Sequence, residues 1–268
     1  MDISIINSLI SDQVKSIKYL NEVDSTNNFA KKLILEDKEK EFPILVTTDD
    51  QTAGKGRLGR VWKSEAGLNI AMSLILKAPD NTLNYSSVTL LSALAVVKAI
   101  KNLTGLSCQI KWPNDLIYES KKVCGILTEM LSIADNNHII VGIGINTNST
   151  SFPDEIKNKA TSLLLASGNE VSREKLIARS ISYFMEYYNE FIKITDLSFI
   201  KNEYNSLLIS KDKEVILSSD NVKFPDNPYI SKGIDDKGGL VVESKDGQIF
   251  SVTSGEVSVR GVLGYAIS

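Results

Sequence analysis

The run Gly54-Lys55-Gly56-Arg57-Leu58-Gly59 has the GxGxxG spacing that opens a dinucleotide-binding fold when it joins a strand to a helix. Its context here denies that fold. Arg60-Val61-Trp62-Lys63 follows, and then the alternating segment Leu68 to Leu76, so no helix N-terminus stands behind the last glycine to hold a pyrophosphate. The β-branched run Pro43 to Thr48 comes before it, so the glycines lie in a loop between two strands. Backbone N–H groups in such a loop can approach phosphate oxygens, because glycine lacks Cβ, and Lys55, Arg57 and Arg60 supply positive charge. A solvated basic hairpin would carry the same residues.

Elsewhere the periodicity alternates between helix and strand. Ser25 followed by Phe29, Ala30, Leu33 and Ile34 predicts a helix over 25–36, with Asp24 or Ser25 as N-cap. Val88, Leu91, Leu94, Ala95 and Ile100 predict another over 86–103, stopped at Gly105. Strands are expected at 107–111, 116–118, 123–130 and 139–145, an irregular stretch over 146–160, and helices over 173–194 and 197–208. After Ser210 the texture changes to short alternating runs, Val215 to Leu217, Leu240 to Val242 and Ile249 to Val252. Hairpin-turn signals at Asp235 to Gly239 and Lys245 to Gly247 separate the later runs. Hairpins this short are stable only when packed together, which predicts a small antiparallel barrel.

Several function classes are disfavoured. Cys108 and Cys124 are the only cysteines and His138 the only histidine, and none has metal-ligand spacing, so the thiols read as buried and free. A Cys/His metal site or a Ser-His-Asp triad would have to hang on that one histidine. A formal net charge of −3 gives no overall pull toward nucleic acid, so any anion site must be local. Met1 to Gln13 is too short and too interrupted for a signal peptide, and no run of about 18 apolar residues occurs. A cytoplasmic location away from membranes is expected.

Three further clusters carry polar chemistry. Lys111-Trp112-Pro113-Asn114-Asp115 ends a strand and enters a turn set by Pro113; a plain turn can also look like this. Lys122 precedes Val123 to Leu127 and can point from a strand start toward the same cleft, although a solvated lysine satisfies the same spacing. In Val141-Gly142-Ile143-Gly144-Ile145-Asn146 glycines alternate with branched residues. Glycine weakens a strand, so its presence here predicts close approach of a ligand or another backbone.

In order and spacing these segments resemble the biotin protein ligases. Asp24 to Asn27 is similar to the family's biotin-binding helix start, and Gln51 to Trp62 to its glycine- and arginine-rich ligand loop. Lys111 to Leu116 matches its Lys-Trp-Pro-Asn-Asp-Leu segment, Lys122 to Leu127 its Lys-x-x-Gly-Ile-Leu segment, and Gly142 to Asn146 its Gly-x-Gly-Ile-Asn segment. Gly255 to Arg260 resembles its C-terminal barrel strand. Lys55 stands where many members have Arg, which keeps the charge and loses the bidentate fork, and Cys124 stands where a smaller residue is common.

The resemblance implies an α+β fold: a mixed or antiparallel sheet flanked by helices over 1–210, then a small SH3-like barrel over 211–268. It implies an ATP-dependent ligase that makes biotinyl-AMP and passes biotin to a lysine of a biotin carboxyl carrier protein. Ser25, Thr26, Asn27 and Gln51 would serve the ureido ring and its surroundings, with Lys55, Gly56, Arg57 and Lys122 completing the biotin site. Lys122, Arg57 and Arg60 would neutralise the reacting anions, assisted by Lys111. Asn114 and Asn146 would contact phosphate or ribose, and Trp62 would stack on adenine. Asp115 would hold Mg²⁺ or take the acceptor lysine's proton; Mg²⁺ itself would ride mainly on the phosphates, and no tightly bound prosthetic group is expected. Fewer than 20 residues precede Tyr19, which leaves no room for the helix-turn-helix module of repressor-type members, so no specific DNA binding is expected. A homodimer stays open. The competing readings are a lipoate or octanoate ligase and a non-catalytic biotin-binding regulator.

Overall fold

Thirteen consecutive positions from Val88 to Ile100, all buried but the half-buried Lys98, can be accommodated only by a helix covered on all sides, and the whole arrangement is built around it. The computed structural model describes residues 1–36, 39, 41–59, 61–62, 64–78, 85–133, 136–219, 222–225, 227–253 and 258–261. In chain order the first elements are α1 (Ile3–Ile10), β1 (Ser16–Val23), α2 (Thr26–Leu35), β2 (Ile44–Gln51), β3 (Gly54–Lys55), β4 (Val61–Trp62) and β5 (Ile70–Lys77). Then come α3 (Tyr85–Thr104), β6 (Gln109–Lys111), β7 (Asp115–Tyr118), β8 (Lys121–Ile133) and β9 (Asn136–Ile145). The chain continues through α4 (Leu163–Ser167), α5 (Arg173–Ile194), α6 (Lys201–Leu207), β10 (Glu214–Ser218), β11 (Tyr229–Ile234), β12 (Leu240–Glu243), β13 (Ile249–Val252) and β14 (Ser258–Gly261).

Seven strands form a mixed sheet in the order β1-β2-β5-β9-β8-β7-β6, in which only β1 and β2 are parallel. That exception follows from α2, which crosses over between them. On one face α3 packs against the sheet and is covered in turn by α5, which also touches α1. Among the described residues α3 is the one helix long and apolar enough to cross a membrane, and here it is the central core helix. Ser172 caps α5 by accepting from Lys175 N–H, and Thr195 ends it in the left-handed region, so the predicted span 173–194 is the observed one. On the opposite face α2 lays Ala30 and Ile34 on Ile44, Val46, Ile75 and Ile140.

The C-terminal segment forms a five-stranded antiparallel sheet in the order β13-β12-β11-β10-β14, and its described pairings do not include a closing β13–β14 pair. Its Asp235–Gly239 hairpin reaches into the larger unit. Trp112 Nε1 donates to Gly238 O at 3.0 Å, Leu197 N to Asp236 O at 2.7 Å, and Ser87 Oγ to Lys237 O at 3.2 Å. Periodicity did not reveal α1, β1, β11, α4 or β14. The first is only two turns long, with Ile6 and Ile10 buried, and β1 is an edge strand whose residues are all partly exposed or exposed, so its pattern shows no clear alternation. The helix expected over 197–208 shortens to α6, because Leu197 leaves helical pairing to bond the hairpin at Asp236.

Candidate active site

On the α2 face, β8 and β9 place Gly125 directly opposite Gly144 and Gly142 opposite Leu127. Two glycines facing each other leave a flat, side-chain-free floor. The space is taken by the protein's own side chains. A Cβ on Gly144 would fall 2.6 Å from the Trp62 ring, and one on Gly142 would fall 2.4 Å from Asn27 Oδ1. The glycines were expected to admit a ligand or another backbone; what they admit here is Trp62 and Asn27.

Above this floor lies a cavity of about 780 Å³. Ser25, Thr26, Asn27 and Gln51 line one end, Lys55, Gly56, Arg57 and Trp62 one side, and Lys111, Asn114, Asp115, Lys122 and Asn146 the remainder. Every candidate residue from the sequence therefore meets in one place except Arg60, which lies outside the described residues, as do Gly255, Glu256 and Val257.

The polar end has a defined direction. Thr26 N–H and Oγ1–H both donate to Gln51 Oε1, at 2.9 and 3.2 Å, so the Gln51 amide turns its N–H₂ away from Thr26. Ser25 caps α2 without a side-chain bond to the helix, although only 2% of the residue is exposed. A buried hydroxyl and an amide N–H₂ at a cavity wall suit a polar ring with a carbonyl acceptor.

The other end is cationic. Lys55, Arg57, Lys111, Lys122, Lys159 and Arg260 line the cavity, and among the described residues Asp115 is the one acid set against them. Lys122 is placed by a backbone irregularity. The β7–β8 register shifts between Leu116 and Ile117, so Lys122 pairs with Ile117 while Cys124 pairs with Leu116. In a regular pleat Lys122 and Gly125 would face opposite ways, yet the Lys122 ammonium lies 3.0 Å from where a Gly125 Cβ would be. The bulge thus turns Lys122 into the cavity, with Nζ 2.5 Å from Asp115 Oδ1 and 5.4 Å from the Trp62 ring centre. Arg57 donates to Asn114 Oδ1 at 3.0 Å, so the glycine-rich hairpin spans the opening. Asn146 braces the floor, donating to Thr161 O and Lys122 O. Lys55 donates to Asn28 Oδ1 at the rim. Trp112, part of the Lys111 to Asp115 cluster, is buried against the C-terminal hairpin.

Sequence reasoning missed Phe152, Ile156 and Lys159 of the irregular stretch, and Val259 and Arg260 of β14, all of which line the cavity. Two large apolar residues in an otherwise polar, exposed segment are the signal that was available: Ile156 is 40% exposed. The segment is anchored by Asn69, which accepts from Thr147 N–H and donates to Ser149 Oγ, and by backbone bonds between Lys122 and both Lys159 and Thr161. Beside Asn69, Arg173 donates to Asp49. Burial pushes the Asp49 carboxyl up, but hydrogen bonds from Tyr19, Arg173 and the Met1 amine outweigh it and hold it at about 2. Cys124 and Cys108 are buried free thiols, both pushed up by burial, Cys108 to about 12. Among the described residues no three His, Cys, Asp or Glu side chains converge as a metal site.

Residues 19–146 match the profile of the biotin/lipoate A/B protein ligase family, and residues 221–260 that of the biotin protein ligase C terminal domain. The bifunctional ligase/repressor BirA of Bacillus spizizenii is 41% identical over 207 residues, 76% of this chain; the chain covers 62% of that relative's length. The biotin--[acetyl-CoA-carboxylase] ligase of Paracoccus denitrificans is 28% identical over 76% of this chain and 85% of its own length. The structure of the Aquifex aeolicus biotin protein ligase in complex with biotin and ATP superposes with a TM-score of 0.77 at 31% identity, covering 92% of this chain and 99% of that one.

Proposed function

The chain belongs to the biotin protein ligases of the biotin/lipoate A/B protein ligase family, and on that premise we propose that it activates biotin with ATP and transfers it to a lysine of a carrier protein. The observation that carries this reading is the division of one cavity into a small buried polar end and a cationic end, joined across a glycine floor. Biotin has the matching shape: an apolar bicycle with a ureido carbonyl at one end and a carboxylate at the other.

In this reading Ser25 and Gln51 hold the ureido ring, Thr26 and Asn27 orient them, and the carboxylate points toward Lys122. A carboxylate oxygen attacks the α-phosphorus of ATP, and the bond to the β-phosphate bridging oxygen breaks, releasing pyrophosphate. Both reactants are anions, so Lys122, Arg57 and Lys111 cancel their repulsion and stabilise charge gathering on the phosphoryl oxygens. Arg260 and Lys159 extend that field to the outer phosphates. Trp62 offers its ring to the adenine, and Asn114 and Asn146 hold the ribose–phosphate side. Mg²⁺ fits as an ion brought in on the phosphates, which it would neutralise, because among the described residues the wall offers Asp115 and no cluster of three metal-binding side chains. In the second step the neutral amine of the acceptor lysine attacks the anhydride carbonyl, AMP leaves, and the amine loses a proton, which in this reading Asp115 takes up. Residues 1–210 act as the catalytic unit, and 211–268 as a C-terminal unit that reaches the cavity through Val259 and Arg260.

Pyrophosphate exchange into ATP that requires biotin tests this directly. Exchange with lipoate or octanoate and none with biotin would replace it with the lipoate-ligase reading.

A further inference from the structure

The turn that forms the polar end of the cavity is held from behind by a residue that does not line it. Glu129, on β8, sets one carboxylate oxygen 2.8 Å from Asn27 Nδ2 and the other 2.7 Å from Lys31 Nζ, tying two successive turns of α2 to the sheet. Asn27 is 3% exposed, and both ends of its amide are engaged inside the protein. Its Nδ2 also donates to Leu127 O at 3.3 Å, and its Oδ1 accepts from Ser73 Oγ at 2.6 Å. Ser73 Oγ lies 2.7 Å from Thr26 Oγ1 as well, so the contacts run unbroken from Glu129 through Asn27, Ser73 and Thr26 to Gln51.

We propose that Glu129 is a positioning residue for the polar end of the cavity: it fixes the orientation of the Asn27 amide and, with it, the first turn of α2 that carries Ser25 and Thr26. This rests on the biotin-activating reading above only for the identity of the ligand. An amide has one accepting and one donating end, and a carboxylate only accepts. Reversing Asn27 would set its oxygen against both Glu129 and the Leu127 carbonyl, and would present a donor to Ser73 where an acceptor now stands. Of the two contacts that Asn27 Nδ2 makes, the charge-assisted one to Glu129 is the shorter and the stronger. The amide also has little room to back away, because Gly142 leaves it only the space of a missing Cβ. Glu129 therefore acts on ligand affinity through Asn27, at a distance from the phosphate chemistry around Lys122.

The test compares Glu129→Ala with Glu129→Gln, whose amide oxygen can still accept from Asn27. Glu129→Ala is expected to raise KM for biotin about tenfold, the size of losing one hydrogen bond to a charged group, with kcat and KM for ATP within about threefold of the parent. Glu129→Gln is expected to recover most of that loss. In parallel, exchange of the Asn27 side-chain amide protons, followed by NMR without substrate, should be slow in the parent and in Glu129→Gln and fast in Glu129→Ala. Equal exchange in all three proteins overturns the proposal, as does a Glu129→Ala protein in which both KM values rise together with a fall in Tm. A parent without biotin-dependent activity would count against the enzymatic reading alone, since the amide exchange still reports on positioning.

Discussion

Lys122 Nζ stands 2.5 Å from Asp115 Oδ1 because a β-bulge opposite Leu116 and Ile117 turns the lysine out of the core face and into the cavity. The pair is the meeting point of β7 and β8 at the cationic end, and both side chains are mostly buried, 22% and 13% exposed. Lys122→Ala should slow adenylate formation by about 10²- to 10³-fold, the usual cost of one preorganised transition-state donor, while biotin still binds. Single-turnover adenylation and biotin calorimetry measure the two separately. A rate within about threefold of the parent would show that Lys122 only pairs with Asp115.

Gly144 should be intolerant of a side chain for a local reason. Its Cβ would collide with the Trp62 ring at 2.6 Å, so Gly144→Ala must push the indole off the floor. We expect KM for ATP to rise about three- to tenfold, the scale of one aromatic contact, and the Trp62 emission to shift red. Trp112 stays buried and serves as the internal reference. Unchanged emission together with unchanged KM for ATP would contradict the placement of Trp62.

Arg57 bridges the glycine-rich hairpin to Asn114 across the opening. Without it the hairpin loses a contact that closes the cavity, and a reactive acyl-adenylate should escape about tenfold to a hundredfold faster, the loss of one charge-assisted hydrogen bond. Arg57→Gly should therefore keep partial adenylation and add biotin to a bystander such as albumin. Complete loss of adenylation with no bystander labelling would place Arg57 in the chemistry itself.

Acid stability should depend on Asp49. Its folded value of about 2 lies below the unfolded carboxyl value of about 3.9, so its contribution is fully present above that unfolded value and is lost as pH falls toward 2. Asp49→Asn should be less stable than the parent at neutral pH, and the difference in Tm should shrink between pH 4 and pH 2. A constant difference across that range would mean that the carboxyl does not titrate with folding.

Local properties of the chain were legible in its order of residues. Periodicity marked α5 and α3, the latter with Gly105 as its stop; the strand after Gly59 excluded a dinucleotide-binding turn; hairpin chemistry at Asp235 to Gly239 marked the C-terminal sheet. The spacing of Gln51 to Trp62, Lys111 to Asp115, Lys122 and Asn146 named residues that do share one cavity, because each cluster sits at a strand end or turn where neighbours dictate the backbone. Other features depended on contacts between distant residues. Only strand pairing creates the bulge that aims Lys122, and only the antiparallel register of β8 with β9 brings Gly125 opposite Gly144 to make a floor for Trp62. Arg260 reaches the cavity from a segment with no local pattern pointing there, and the apolar pair Phe152 and Ile156 marks its segment without saying what it meets. Glu129 lies 102 residues from Asn27, and no periodicity in either segment encodes their contact. Short-range sterics and hydrogen bonding are written in neighbouring residues, whereas the direction a side chain faces and the partner it meets are set when the sheet closes its register.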